Sequence, residues 1–208
     1  MHYAFDKWME IHNPDNPWAR YADDGLIHCK TKAEADLVLE NLRKRMFECK
    51  LELHPEKTKI IYCKDSNRTG KYEHTSFDFL GYTFRTRFAR NKRGQYFVSF
   101  TPAVSKKAIK SFNQRIREIR RTTTFKSLEQ LALDINPVIR GWANYFGCYN
   151  QSEMKHKLAK VNLALVLWAR KKYKKLRKES CAWKWLKRCA ATQPDLFAHW
   201  RMGLRPMA

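Results

Sequence analysis

The chain reads as an α+β fold whose first hundred residues pair short strands with a crossing helix and whose remainder is helical and basic. Three observations carry that reading. Alternating, turn-bounded runs recur up to about residue 100, whereas apolar spacings of three and four dominate from residue 101 onward. Charge divides similarly: residues 1–70 hold 12 Lys+Arg against 12 Asp+Glu, and residues 71–208 hold 30 against 8. The whole net charge of +22 therefore lies in the later part. We expect a boundary near residue 101, giving a 1–100 part and a 101–208 part without internal repeats.

Composition narrows the class further. At 208 residues, 44% hydrophobic and 30% charged, the chain can bury a real core and is not of the disordered type. The longest apolar run, residues 163–169, is far short of the ~20 residues that span a bilayer. The first residues lack the basic and apolar regions of a secretory leader. Cys29, Cys49, Cys63, Cys148, Cys181 and Cys189 form no Cys-x-x-Cys pair, so they read as reduced thiols of a cytoplasmic chain, without a zinc frame. A +22 charge interleaved with aromatics points to a nucleic-acid partner rather than a membrane.

In order, Tyr3, Phe5, Trp8 and Met9 suggest a helix ended by Asn13-Pro14-Asp15-Asn16-Pro17. Residues 18–21 and 26–29 flank Ala22-Asp23-Asp24-Gly25 as a hairpin. Thr31 and Glu34 form a capping box for a helix over about 32–49, with Ala35, Val38, Leu39, Leu42 and Met46 on one face. Residues 51–53 and 59–63 read as strands and residues 64–76 as a loop. Residues 77–88 and 95–100 make a second hairpin with the basic tip Arg90-Asn91-Lys92-Arg93-Gly94. Thr101-Pro102 reads as N-cap and first helical residue, opening a helix striped by Ile109, Phe112, Ile116 and Ile119. Ser127 and Gln130 cap another running to Phe146. Residues 152–178 read as a third, with Leu158, Val161, Leu165 and Trp168 inward, and 182–191 as a short fourth.

Tyr21-Ala22-Asp23-Asp24 is the sharpest chemical signal. Adjacent carboxylates at a turn repel unless a cation neutralises them. Mg²⁺ takes hard oxygen ligands, often one or two protein carboxylates plus water and phosphate. The same four residues also suit a soluble Asp-Asp-Gly turn with a positive-φ residue. Basic density is the second signal: residues 155–188 hold 13 Lys+Arg and one acid. Lys171, Lys172, Lys174 and Lys175 cluster with Arg177 and Lys178. Lys106, Lys107, Lys110, Arg117, Arg120 and Arg121 fall largely off the first helical stripe. Such cations bind phosphates without reading sequence; a solvated face would explain lysines but not this density. Trp142 and Trp168 fall on apolar stripes, as core residues do, whereas Trp183 and Trp185 fit either packing or base stacking.

Five blocks occur in a fixed order: Phe5-Asp6-Lys7-Trp8, Arg20-Tyr21-Ala22-Asp23-Asp24, Leu53-His54-Pro55-Glu56-Lys57-Thr58-Lys59, Phe77-Asp78-Phe79-Leu80-Gly81-Tyr82 and Gly141-Trp142-Ala143-Asn144-Tyr145-Phe146. This order and spacing resembles the reverse transcriptase/maturase proteins encoded by group II introns, over essentially the whole chain. The resemblance implies the later palm of an RNA-directed DNA polymerase over 1–100, followed by a thumb and maturase region over 101–208. It implies Asp23 and Asp24 as Mg²⁺ ligands of a two-metal site, Ala22 near the primer end, Tyr21 packing beneath, and Lys57 near the nucleotide. Leu80 and Gly81 would belong to the primer grip. Partners would be intron RNA and an RNA/DNA template–primer.

The resemblance also carries departures. The family's fingers and first palm aspartate precede the position equivalent to Met1, so we expect an incomplete metal site and polymerisation that is lost or depends on an upstream chain supplying the fingers. Gly25 stands where relatives carry bulkier apolar residues. Residues 179–208 lack the paired cysteines of an endonuclease, and His199 reads as a packing or exposed residue rather than a ligand. The rival readings are a non-enzymatic RNA-binding remnant or RNA chaperone, a decayed product with open strand edges, and a reverse transcriptase of a retron or defence system.

Overall fold

The computed structural model describes residues 1–68, 70–91 and 93–206. Lys92, expected in the basic tip, lies outside them. The chain divides into two compact units, residues 1–79 with 85–100 and residues 80–84 with 101–208. Among the described residues, no helix is long and apolar enough to cross a membrane.

The first unit begins with a π-helical turn, His2–Asp6, that runs into α1 (Lys7–His12). Its apolar side buries Ala4, Phe5 and Met9 against Leu42 and Met46 of α2 (Lys32–Glu48). The expected capping box is formed: Thr31 Oγ1 accepts from Glu34 N at 3.1 Å, and Thr31 N donates to Glu34 Oε2 at 3.3 Å. Glu34 also accepts from Asn16 Nδ2 at 2.8 Å, while that amide donates to His28 O at 3.0 Å. One carboxylate thus starts the helix and ties down both ends of the preceding hairpin, β1 (Trp18–Tyr21) and β2 (Asp24–Ile27). The bond from Asn16 is the main reason the Glu34 carboxyl is held below its usual range.

A three-stranded sheet follows in the order β3 (Ser76–Phe79), β4 (Tyr82–Arg90), β5 (Tyr96–Val104). Four expectations are corrected here. Residues 51–53 and 59–63 are not strands; among the described residues the second run finds a backbone partner in His74, whose carbonyl takes Tyr62 N at 2.8 Å, and builds no ladder. Composition and pattern report the half-burial that Leu53 and residues 60–63 have, but a strand also needs a neighbour. Residues 77–88 are two strands, broken by Leu80-Gly81 with φ of 49° and 79°. The sign of both is that of a type I′ hairpin turn. Thr101 and Pro102 lie within β5, an edge strand, where a missing N–H is tolerated. Ser105 caps α3 (Lys106–Thr122) instead, accepting from Ala108 N at 3.1 Å.

In the second unit α3 buries Phe112, Ile116 and Ile119, and α4 (Leu128–Phe146) buries Leu131, Ile135 and Ile139, with Ser127 and Gln130 forming the expected box. Residues 152–178 are not one helix. They form α5 (Gln151–Ala159), α6 (Val161–Lys172) and a 3₁₀ turn, although Leu158, Val161, Leu165 and Trp168 all point inward as expected. The fourth helix is longer than expected, α7 (Glu179–Thr192), and a short α8 (Ala198–Arg201) was not foreseen.

That last element is held by a buried polar knot. Asn162 Nδ2 donates to Leu204 O at 2.9 Å, and its Oδ1 accepts from Trp200 Nε1 at 2.8 Å and contacts His199 Nε2 at 2.9 Å. An indole nitrogen only donates, so the atom it meets must be the amide oxygen. His199 Nε2 therefore carries the proton. Fully buried, His199 has its pKa held down to about 3 by desolvation. Of the two settings the sequence left open, packed or exposed, it takes the packed one.

The pH consequence has a definite sign. The unfolded imidazole charges below its ordinary 6.5, whereas the native one resists charging down to about 3. Its contribution is therefore intact above pH 6.5 and is lost as pH falls. Denaturant melts should show wild type losing about 2 kcal/mol between pH 7 and 5 relative to a His199→Leu variant.

Candidate functional site

In the β1–β2 hairpin Tyr21 pairs with Asp24 and Arg20 with Gly25, leaving Ala22-Asp23 as the turn. Ala22 has φ of 54°, a conformation that costs an L-residue about 1–2 kcal/mol and must be held from outside. Arg20 holds it. Its Nη1 donates to Ala22 O at 2.6 Å, while Nε and Nη2 donate to the two oxygens of Asp6 at 2.6 Å each. β1 points Trp18 and Arg20 inward and Ala19 and Tyr21 outward. Beneath lies Phe5, edge-on to Trp18 with centroids 5.4 Å apart. A Cβ on Gly25 would stand 3.5 Å from its ring, an ordinary contact, and Gly25 has no positive φ.

Asp23 and Asp24 are exposed, and among the described residues neither carboxylate has a hydrogen bond or ion pair. Tyr21 is 64% exposed, a correction to its expected packing beneath the turn. The bed is Phe5 and Trp18. Lys57 is exposed in the turn after His54, where Thr58 N donates to His54 O at 3.0 Å, and no hydrogen bond or ion pair links it to the Asp pair.

Asp6 and Arg20 are functional neighbours that sequence reasoning did not pair. Asp6 is only 8% exposed, and its carboxyl is lowered to about 2, chiefly by the hydrogen bonds from Arg20. The usable signal was a charged residue on the inward phase of β1, opposite an acid next to Phe5.

In the second unit, the Leu80-Gly81 turn is gripped by the end of α4. Tyr145 Oη donates to Leu80 O at 2.8 Å, Ser105 N donates to Gly81 O at 2.9 Å, and Tyr82 Oη donates to Tyr145 O. A Cβ on Gly81 would lie 3.3 Å from Phe146 Cζ. Trp142 stacks on Phe112 at 4.6 Å, and Phe146 meets Tyr82 edge-on at 5.1 Å. Two blocks about 60 residues apart are thereby one cluster.

The outward side of α3 forms a groove of about 490 Å³ lined by Lys106, Lys110, Asn113, Gln114, Arg117 and Arg121, among others. Lys107 is exposed beside it. Arg120 is half-buried rather than off the apolar stripe, and burial followed by the charges of Arg121 and Arg117 lowers its pKa. At the end of α6, Lys171, Lys174 and Lys175 are exposed, but Lys172 is not a free phosphate ligand. Its Nζ donates to the carbonyls of Thr124 at 3.3 Å, Phe125 at 3.1 Å and Lys126, and sits over the rings of Trp168 and Tyr173 at 5.4 and 5.7 Å. Trp168 is buried with Nε1 donating to Thr123 O at 3.1 Å, and Trp142, Trp183 and Trp185 pack on the same core.

Residues 1–84 match the family model for reverse transcriptase (RNA-dependent DNA polymerase), and residues 109–189 match that for the maturase-specific domain of group II introns. No curated protein matches the chain significantly. An Asp-Asp hairpin on a palm-type segment, followed by a basic helical region, defines a chain of the reverse-transcriptase class. It belongs to the group II intron reverse transcriptase/maturase family. These domains imply binding to intron RNA and template, and polymerases of this type are typically metal-dependent.

Two substitutions test the geometry. Arg20→Gln leaves the Asp6 carboxylate with His2 Nδ1, 3.2 Å away, as its remaining partner and should lower stability in denaturant melts, with Asp6→Asn in the same chain restoring part of it. Gly81→Ala, strained by φ of 79° and by Phe146, should cost about 1–2 kcal/mol, measured the same way.

Proposed function

We propose that Asp23 and Asp24 are metal-binding carboxylates of a two-metal phosphoryl-transfer site, and that the outer faces of α3 and of the α6 end hold RNA. The supporting observation for the first part is that the two carboxylates stand side by side, exposed and unpaired, while the nearest cation in sequence, Arg20, is committed to Asp6 and Ala22 O. The donor set fits Mg²⁺, which accepts two protein carboxylates and fills its octahedron with water and substrate phosphate. Among the described residues no group of three or more His, Cys, Asp or Glu gathers at one point, so this segment would supply the Asp pair alone. A divalent cation bound there would stabilise charge on the transferring phosphoryl oxygens.

The chain's own residues do the positioning. Arg20 and Asp6 fix the turn, Phe5 and Trp18 support it, and Ala22 leaves room beside the carboxylates for a primer end. Tyr145 and Phe146 hold Leu80 and Gly81 in the conformation a backbone grip on a primer would use. In this reading residues 1–100 are the later palm and residues 101–208 the thumb and maturase-specific region. Lys106, Lys107, Lys110, Arg117, Arg121, Lys171, Lys174 and Lys175 contact phosphates, with Arg120 and Lys172 supporting from within.

Both halves can be measured on the chain itself. Fe²⁺ in place of Mg²⁺, with ascorbate and peroxide, should cleave the backbone next to residues 23–24, and Asp23→Asn should abolish that cut without changing RNA affinity. Uncut hairpin in wild type would end the metal reading. For the helices, changing Lys171, Lys174 and Lys175 together to Gln should lower the slope of log affinity against log salt on RNA by about 2–3, whereas Lys172→Gln should lower the melting temperature instead.

A further inference from the structure

The β4–β5 ribbon carries a feature the palm and helix assignments leave unused. Phe88 is 83% exposed and Tyr96 74% exposed, far more than rings of that size keep in the rest of the sheet. Phe88 and Arg90 are two apart on β4 and share a face. The Arg90 guanidinium lies over the Tyr96 ring, 5.7 Å from its centroid. Side chains therefore run ring, cation, ring along one surface.

The tip that presents them is built. Asn91 Oδ1 accepts from Arg93 N and Gln95 N at 2.9 Å each, and Asn91 Nδ2 donates to Gln95 Oε1 at 2.9 Å. Arg90 Nε donates to Gly94 O at 3.0 Å. A Cβ on Gly94, whose φ is 82°, would stand 3.1 Å from Arg90 Nη2, so the glycine lets the guanidinium lie flat across the turn. On the other side, Ser66 pins β5 through Val98, donating from N and Oγ at 3.1 Å and accepting from Val98 N at 2.9 Å.

Charge selects the occupant. Arg85, Arg87, Arg90, Lys92 and Arg93 lie in this stretch, and no Asp or Glu occurs from residue 79 to 117. Exposed flat rings beside cations match a strand whose bases are unstacked, since each base can lie on a ring while its phosphate meets an arginine. A duplex offers phosphates but keeps its bases inside, leaving the rings idle. A lipid surface would meet the tip first, and residues 91–95 are Asn, Lys, Arg, Gly and Gln with nothing apolar to insert.

We infer that the Phe88, Arg90, Tyr96 face of the β4–β5 ribbon binds an unpaired RNA strand, as a surface separate from the basic helices. The inference rests on the reading that the chain binds RNA. It is tested by fluorescence anisotropy of the full chain with a labelled RNA of about a dozen nucleotides, single-stranded or annealed as a duplex, and by flotation with phosphatidylserine-containing vesicles. Phe88→Ala with Tyr96→Ala should weaken single-strand affinity about tenfold or more and leave duplex affinity unchanged. Phe88→Leu with Tyr96→Leu, which keeps apolar bulk but no flat ring, should do the same. Arg90→Gln should lower the single-strand salt slope by about 0.7. Equal loss on duplex, no loss on either RNA, or loss confined to vesicle binding overturns the inference. Wild-type chain that binds neither RNA overturns the RNA reading beneath it, whereas wild-type binding that both double variants retain overturns the ribbon alone.

Discussion

The second unit depends on burying α6 almost all round. Of its residues only Leu163 and Lys171 are exposed, and Leu165, Val166 and Ala169 have no accessible surface at all. A helix apolar on most sides must be wrapped by others, and α3, α5 and α7 do so. Its few polar groups are then obliged to find partners. Asn162, in its first turn, gathers Leu204 O, Trp200 and His199, which closes the C-terminal segment. At the other end Trp168 and Lys172 take the carbonyls of Thr123 through Lys126, which closes the link from α3 to α4. One buried helix thus determines where two distant loops stop.

That arrangement dictates where the charge can go. With the interior occupied by apolar stripes, the cations of residues 155–188 are confined to helix ends and outer faces. Like charges at such density repel one another and weigh against folding. The carbonyl cage around Lys172 removes one of them from that repulsion, and the half-buried Arg120 has its pKa lowered by desolvation and by Arg121 and Arg117. Most of the remaining charges, Lys171, Lys174 and Lys175 among them, stay exposed, where a polyanion would relieve their repulsion on binding. On the proposed reading, RNA affinity and the stability of the helical unit are coupled for this reason.

How much of this was legible in the sequence follows from range. The boxes of Thr31 with Glu34 and Ser127 with Gln130 are local, and both stand as expected. The inward stripes on α3 and α6 are local too. Long-range partners were invisible: Asp6 and Arg20 are separated by a helix end and a proline turn, and no local pattern pairs them. Residues 59–63 carry the apolar, β-branched and aromatic side chains of a strand, yet pattern cannot report whether a neighbouring strand exists. Lys172 sits in a run of cations and differs from Lys171 only by the phase that aims it at three carbonyls. The shared cluster of Gly81, Tyr82, Tyr145 and Phe146 was visible as two motifs, but contact between them was not.

The hairpin shows why that hidden pair matters for chemistry. A guanidinium three and four residues from the two carboxylates, if free, would neutralise them and compete with any cation for them. Asp6 prevents this by taking two of Arg20's donor groups, and Ala22 O takes another, so the arginine's charge is satisfied from below. The same contacts hold Ala22 at positive φ, which turns Asp23 and Asp24 toward solvent next to one another. Negative charge is thereby left uncompensated at one point on a chain that is otherwise strongly positive. The proposed metal site would have to attract a divalent cation beside a polyanionic substrate, and the contrast it would need is produced by an acid on a helix sequestering the neighbouring arginine.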